Sequence, residues 1–125
     1  MGAAYFIVLE RAIKGLDMEM DGKSLSRHIE ALDDAARKLG CRPLSEFFSA
    51  DPDELAEFLD GSGGAEAALP PLERFAAAEG LATVRSLLLD PVSKQDGIAQ
   101  DLNDCARILE AAAEHDVRWH FEIDV

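Results

Sequence analysis

The residues best suited to chemistry lie in two short segments, residues 17–22 and 118–124. The first reads DMEMDG, with carboxylates at alternate positions before a glycine. This pattern resembles the start of a calcium-binding loop, in which several oxygens converge on a hard cation. The position where such a loop ends in glutamate is His28. Asp17, Glu19 and Asp21 are therefore candidate ligands of a divalent-metal-binding regulator. The alternative is an acidic turn that caps the next helix.

The second segment carries His120, Glu122 and Asp124 at alternate positions. In a strand these side chains share one face, with successive Cα atoms about 6.5–7 Å apart. An imidazole beside carboxylates suits a zinc ion or an acid–base pair. The alternative is a water-exposed face of the sheet that pairs with charged side chains of a neighbouring strand.

A third candidate is His28, which follows Ser24 by one helical turn. A serine–histidine pair at this spacing can form a hydrogen bond, but no orienting acid or oxyanion donor accompanies it. The alternative is a partly buried, hydrogen-bonded histidine beside the apolar face. A small enzyme or ligand-binding domain would therefore use His120 and Glu122, with His28 as a possible third member.

The two cysteines, Cys41 and Cys105, are not in a CxxC pair and have no metal-ligand spacing. Cys105 falls on the apolar face of a predicted helix and is expected in the core. Cys41 follows a predicted helix end and is the candidate for a reactive thiol. The N-terminal segment has no basic residue before its apolar run, so it does not resemble a signal peptide. We expect a cytoplasmic protein with reduced thiols.

The charge balance limits the choice of partner. The chain has 25 Asp and Glu residues against 12 Lys and Arg, a net charge of −13, with no basic cluster. Nucleic acids and anionic membranes both require clustered positive charge, so neither is expected as a partner. Acidic clusters at 33–34 and 51–57 could instead face a protein with a basic surface, or form solvated helix faces. No phosphate-binding loop, nucleophile elbow or HExxH motif occurs, and no cofactor is expected.

The elements that must position these residues follow from hydrophobic periodicity. An apolar run predicts a strand covered on both faces at 3–10, and strict alternation predicts a strand at 117–125 with one buried and one wet face. Predicted helices and helical turns lie between them, at about 21–39, 44–48, 51–59, 72–78, 80–90 and 96–116. The glycine-rich residues 61–64 and the prolines at 70 and 71 predict a surface loop.

This order of elements predicts one α+β domain over residues 1–125. The terminal strands would form a small sheet of two strands, or of three if residues 16–20 add a short strand. About four helices would pack on one face of the sheet. So small a sheet has open edges, through which a homodimer could form.

Four segments carry a resemblance: YFIVLERAIKGLD, LSEFFSADPDE, EGLATVRSLL and VRWHFEIDV. They resemble those of small, conserved bacterial proteins of unknown function, and the resemblance covers most of the chain. It implies a bacterial cytosolic protein and brings no activity, cofactor or catalytic residue with it.

Together these observations predict a non-catalytic, acidic protein-interaction module of the inhibitor, immunity or regulatory type. The alternatives are the small enzyme or ligand-binding domain and the divalent-metal-binding regulator defined above.

Overall fold

The computed structural model describes residues 3–49, 72–95 and 97–124. Within these ranges it confirms the α+β architecture, with two terminal strands and four α-helices between them. In chain order the elements are β1 (Ala4–Leu9), α1 (Lys23–Arg27), α2 (Ile29–Lys38), a 3₁₀ turn (Leu44–Phe47), α3 (Ala77–Leu89), a second 3₁₀ turn (Pro91–Lys94), α4 (Ile98–Glu114) and β2 (Trp119–Asp124). The predicted helix at 51–59, the acidic stretch at 51–57 and the loop at 61–64 lie outside the described residues.

The sheet is an antiparallel pair in which Ala4 faces Asp124 at one end and Leu9 faces Trp119 at the other. Residues 16–20 do not form the possible third strand. The chain instead returns to β1 at Gly22, whose carbonyl oxygen accepts a hydrogen bond from the Tyr5 N–H at 3.0 Å. Gly22 has a φ of 72°, and a Cβ there would collide with the Tyr5 carbonyl. Glycine is therefore needed for this close approach.

The outer edges of the sheet are more covered than two strands alone would suggest. Phe75 exchanges two backbone hydrogen bonds with Trp119, at 2.8 and 3.0 Å, and the Ser49 N–H donates to the Phe121 carbonyl at 3.0 Å. This pairing requires extended backbone at Phe75, so the helical turn predicted at 72–78 is wrong. Residues 77 and 78 belong instead to α3, which begins three residues before the predicted start.

The helix predicted over about 21–39 is interrupted at His28, whose φ of −112° is not helical. The interruption lets the two halves pack on different neighbours. Helix α1 packs against β1 and α4, whereas α2 packs against the first 3₁₀ turn and α3. A single straight helix could not make both sets of contacts.

The core forms between the helices and the sheet face that carries Tyr5, Ile7, Trp119 and Phe121, all of which are buried. The aromatic rings make edge-on contacts from Tyr5 to Phe121 and from Phe121 to Trp119. Gly80 in α3 lies directly against the Trp119 indole, and a Cβ at this position would overlap the ring. Within the described residues, no helix has the length and apolar character needed to cross a membrane.

Candidate functional site

The most unusual polar group is the imidazole of His120. The residue is only 3% exposed, and its Nε2 lies 2.7 Å from Oε2 of Glu122. An ionised Glu122 can only accept, so this contact assigns a proton to Nε2, and in the neutral imidazole Nδ1 is then an acceptor. Nδ1 is buried and has no hydrogen-bond partner among the described residues. The strand thus holds a carboxylate–imidazole pair with one unused basic nitrogen.

This burial corrects the expected wet face at 118–124. His120 is buried, whereas Asp124 on the same face is exposed, and Ile123 on the predicted buried face is 38% exposed. Alternation predicts which side chains share a face, but it does not predict which part of a face is covered. Nor do the three polar side chains form a metal site: the described ranges contain no group of three or more His, Cys, Asp or Glu residues placed to hold an ion.

The structure does not bring His28 to His120. His28 lies between α1 and α2, in the helical layer, and its backbone N–H donates to the Ser24 carbonyl at 3.0 Å. His120 alternates with Trp119 and Phe121, so it lies on the sheet face that points away from those helices. Ser24 is buried, and its Oγ packs against Gly97 rather than joining a catalytic pair with His28.

The acidic segment at residues 17–21 is held by α4. Arg107 donates to the backbone carbonyls of Asp17 and Glu19 at 3.3 and 2.7 Å and forms an ion pair with Asp104 at 2.8 Å. Asp17 Oδ1 accepts from the Glu19 N–H at 2.9 Å. Asp21 faces Lys23 at 3.9 Å. The Asp17 and Asp21 carboxylates thus have separate contacts, and these three residues are not among any group of His, Cys, Asp or Glu placed to hold an ion in the described ranges.

Two adjoining cavities open at this segment. One, of about 490 Å³, is lined by Met20, Arg107 and the carboxylate residues Asp17, Glu19, Asp21 and Asp104. The other, of about 300 Å³, is lined mainly by apolar residues together with two carboxylates: Ala4, Phe6, Met20, Ile123, Asp21 and Asp124. Met20 and Asp21 line both. We call the combined lining the Met20 surface.

Two carboxylates, those of Asp33 and Asp101, are buried. Asp101 is 2% exposed, and its Oδ2 accepts from the N–H groups of Ser24 and Leu25 at 3.0 and 3.2 Å. Burial raises the pKa of the Asp101 carboxyl, and the backbone donors oppose that rise. Asp33, expected on a solvated helix face or an acidic patch, is buried and accepts from the Ser45 N–H at 3.2 Å.

A sequence signal for both carboxylates exists. Asp101 lies three residues after Ile98 and four before Cys105, and Asp33 lies four after Ile29 and three before Ala36. Each acid therefore occupies a position on the apolar face of its helix. Both accept hydrogen bonds from the backbone of another element, so their role is structural.

The cysteines differ in environment. Cys105 is fully buried in α4, as predicted, and burial, together with the nearby carboxylates of Asp101 and Asp104, raises the pKa of its thiol. Such a thiol is a poor nucleophile at neutral pH. Cys41 is partly exposed, packs against the edge of the core and has its Sγ 3.9 Å from the Leu39 carbonyl oxygen.

Comparison with known proteins adds no assignment to this geometry. No family model matches the chain, and neither a curated protein nor a solved structure resembles it significantly.

Proposed function

We propose that this protein is a non-catalytic module that binds a partner protein with a basic surface, as inhibitors, immunity proteins and regulatory subunits do. The observation that carries the proposal is the excess of 25 acidic over 12 basic residues. A net charge of this size accelerates encounter with a positively charged protein and opposes association with anionic ones.

The distribution of ion pairs strengthens this argument. Five of the basic residues are already engaged with carboxylates of the same chain: Lys23, Arg37, Arg42, Arg85 and Arg107. Asp17, Glu19 and Asp124, by contrast, form no ion pair with the described residues and are exposed. Lys23 and Arg107 offset part of the negative charge of the Met20 surface, and Asp17, Glu19 and Asp124 supply the part that no ion pair among the described residues offsets.

The sequence also predicts open sheet edges, through which a second copy of the chain could bind to form a homodimer. Trp119 uses both of its outward backbone groups within the chain, and Tyr5 and Phe121 use one each, the Tyr5 N–H and the Phe121 carbonyl. Ile7 and Leu9 are the β1 positions on the same edge as Tyr5 without a backbone partner among the described residues. Two residues make a short edge, and two copies of charge −13 repel each other. Both points favour a basic partner over a second copy.

The test is to capture partners from lysate on the immobilised protein at low and at raised salt. Calorimetry with each purified candidate then measures its dissociation constant. We expect one stoichiometric basic partner whose dissociation constant rises with salt. Capture of no stoichiometric partner, or of a partner whose affinity does not change with salt, would contradict the proposal.

A second candidate function is a ligand or proton-acceptor site at His120 and Glu122. The buried, unpartnered Nδ1 favours it, since native proteins leave few buried polar atoms without a partner. The test is ¹⁵N NMR of the imidazole during titration with small-molecule fragments that carry a hydrogen-bond donor. A change at Nδ1 on binding would support a site, and an unchanged Nδ1 resonance across the set would remove it.

We also propose that the protein works in a reducing compartment, the bacterial cytosol. Both cysteines are free thiols, which suits a compartment that keeps thiols reduced. Fractionation of the source cells with an antibody to the protein tests this location.

A further inference from the structure

We infer that the Met20 surface docks a segment of another protein that carries lysine or arginine residues next to one apolar side chain. This inference rests on the proposed function and names the place and chemistry of the contact. The evidence is an apolar cavity that has two carboxylates in its lining and adjoins a second cavity lined mostly by carboxylates.

The apolar part of this surface is the cavity of about 300 Å³ whose lining includes Phe6, Met20 and Ile123. Ile123 is 38% exposed, and Met20 and Phe6 are partly exposed. These side chains lie in β1, at the end of β2 and in the loop before α1, beside the core rather than within it. A partner's apolar side chain entering this cavity would remove further apolar surface from water.

The charged part explains why the occupant should be basic. Asp17 and Glu19 line the adjoining cavity, Asp124 lines the apolar cavity together with Ile123, and Asp21 lines both. Arg107 is the basic residue in the lining, and its guanidinium is already held by the carbonyls of residues 17 and 19 and by Asp104. An apolar anchor with neighbouring cationic side chains matches this combination of linings, whereas an acidic or neutral segment does not.

A second copy of this chain fits less well. The same surface on two copies would place like carboxylates opposite one another, because a two-fold interface uses the same patch on both subunits. The repulsion between them disfavours that arrangement.

The experiment uses two synthetic peptides, one of lysines and arginines around a central leucine and one with serine in place of that leucine. Fluorescence anisotropy measures their binding to the full chain, and amide chemical shifts locate it. The surface variant is Asp17→Asn/Glu19→Gln/Asp124→Asn. The matched control, Glu30→Gln/Glu73→Gln/Glu114→Gln, removes the same charge from exposed positions outside this surface. Ile123→Ser tests the apolar part.

We expect the surface variant to weaken binding of the leucine peptide about tenfold at low salt, and the control variant to weaken it by about twofold or less. The leucine peptide should bind the wild-type protein more tightly than the serine peptide does, and Ile123→Ser should abolish that difference. Shifts should centre on Phe6, Met20 and Ile123.

Equal weakening by both charge variants would overturn the inference, because the attraction would then depend on net charge alone. So would a preference for leucine that survives Ile123→Ser. Wild-type dimerisation in sedimentation that Ile123→Ser abolishes would assign the surface to a second copy instead. A basic partner captured from lysate that binds the surface variant with unchanged affinity would refute this location and leave the proposed function standing.

Discussion

Asp101 should be one of the most sensitive polar positions in the protein. Its carboxylate, at 2% exposure, accepts hydrogen bonds from the Ser24 and Leu25 N–H groups at the start of α1. Asp101→Ala would leave both donors buried without a partner, since Ser24 and Leu25 are themselves buried. Each such loss costs about 1–3 kcal/mol, so we expect the free energy of unfolding to fall by about 3 kcal/mol.

Asp101→Asn separates the hydrogen bonds from the charge. The amide oxygen can still accept from the same N–H groups, so we expect a loss of about 1 kcal/mol or less at neutral pH. Because burial raises the pKa of Asp101 in the folded state, the folded protein binds this proton more tightly than the unfolded chain. The protonated Asp101 therefore stabilises the fold fully at pH values below the pKa of this group in the unfolded chain. This contribution is lost as the pH rises through its higher pKa in the folded protein. Asp101→Asn should therefore become more stable relative to wild type as pH rises from about 4 to about 7.

The assay is urea denaturation followed by the fluorescence of Trp119, the single tryptophan, which is fully buried. Asn103→Ala, an exposed change on the same helix, is the control and should lie within about 0.5 kcal/mol of wild type. An Asp101→Ala variant as stable as that control would refute the reasoning. Equal losses for the Ala and Asn variants would show that the charge, and not the acceptor, is what α1 requires.

Three further perturbations test other parts of the structure. Gly80→Ala should destabilise the fold by about 1–3 kcal/mol, because the added methyl meets the Trp119 ring; a melting temperature equal to wild type would contradict this contact. Glu122→Ala removes the hydrogen-bond partner of the buried His120 imidazole and should lower the free energy of unfolding, measured by urea denaturation, by about 1–3 kcal/mol. Asp124→Ala, on the same face of the sheet, should have little effect on it. The buried Cys105 should react with a disulfide reagent only after the protein is unfolded. Reaction of both cysteines in native buffer would contradict this and show that α4 opens.

Local patterns in the sequence predicted most of the elements. Apolar runs and strict alternation placed β1 and β2 within a residue or two of their observed bounds. The face of α4 that includes Ile98, Leu102 and Cys105 is buried as its spacing requires. These features are predictable because the period of a helix or strand appears directly in the order of apolar residues.

The errors arise where a distant segment decides the local structure. Phe75 is extended because Trp119, far along the chain, pairs with it, and the break at His28 serves two different packing partners. Helix propensity alone does not register either contact. The burial of Asp33 and Asp101 was not predicted for the same reason: the N–H groups that they accept from are brought near only by the fold.

The candidate sites show the same division. The composition alone determined the excess of acidic residues. The order of residues determined the absence of a basic cluster and the alternate positions of His120 and Glu122. The tertiary structure decided that His120 is buried and apart from His28, and that residues 17–21 contact Arg107 rather than surround an ion. Charge and periodicity are properties of the chain itself, whereas burial and convergence depend on which distant elements pack together, and that is settled only when the chain folds.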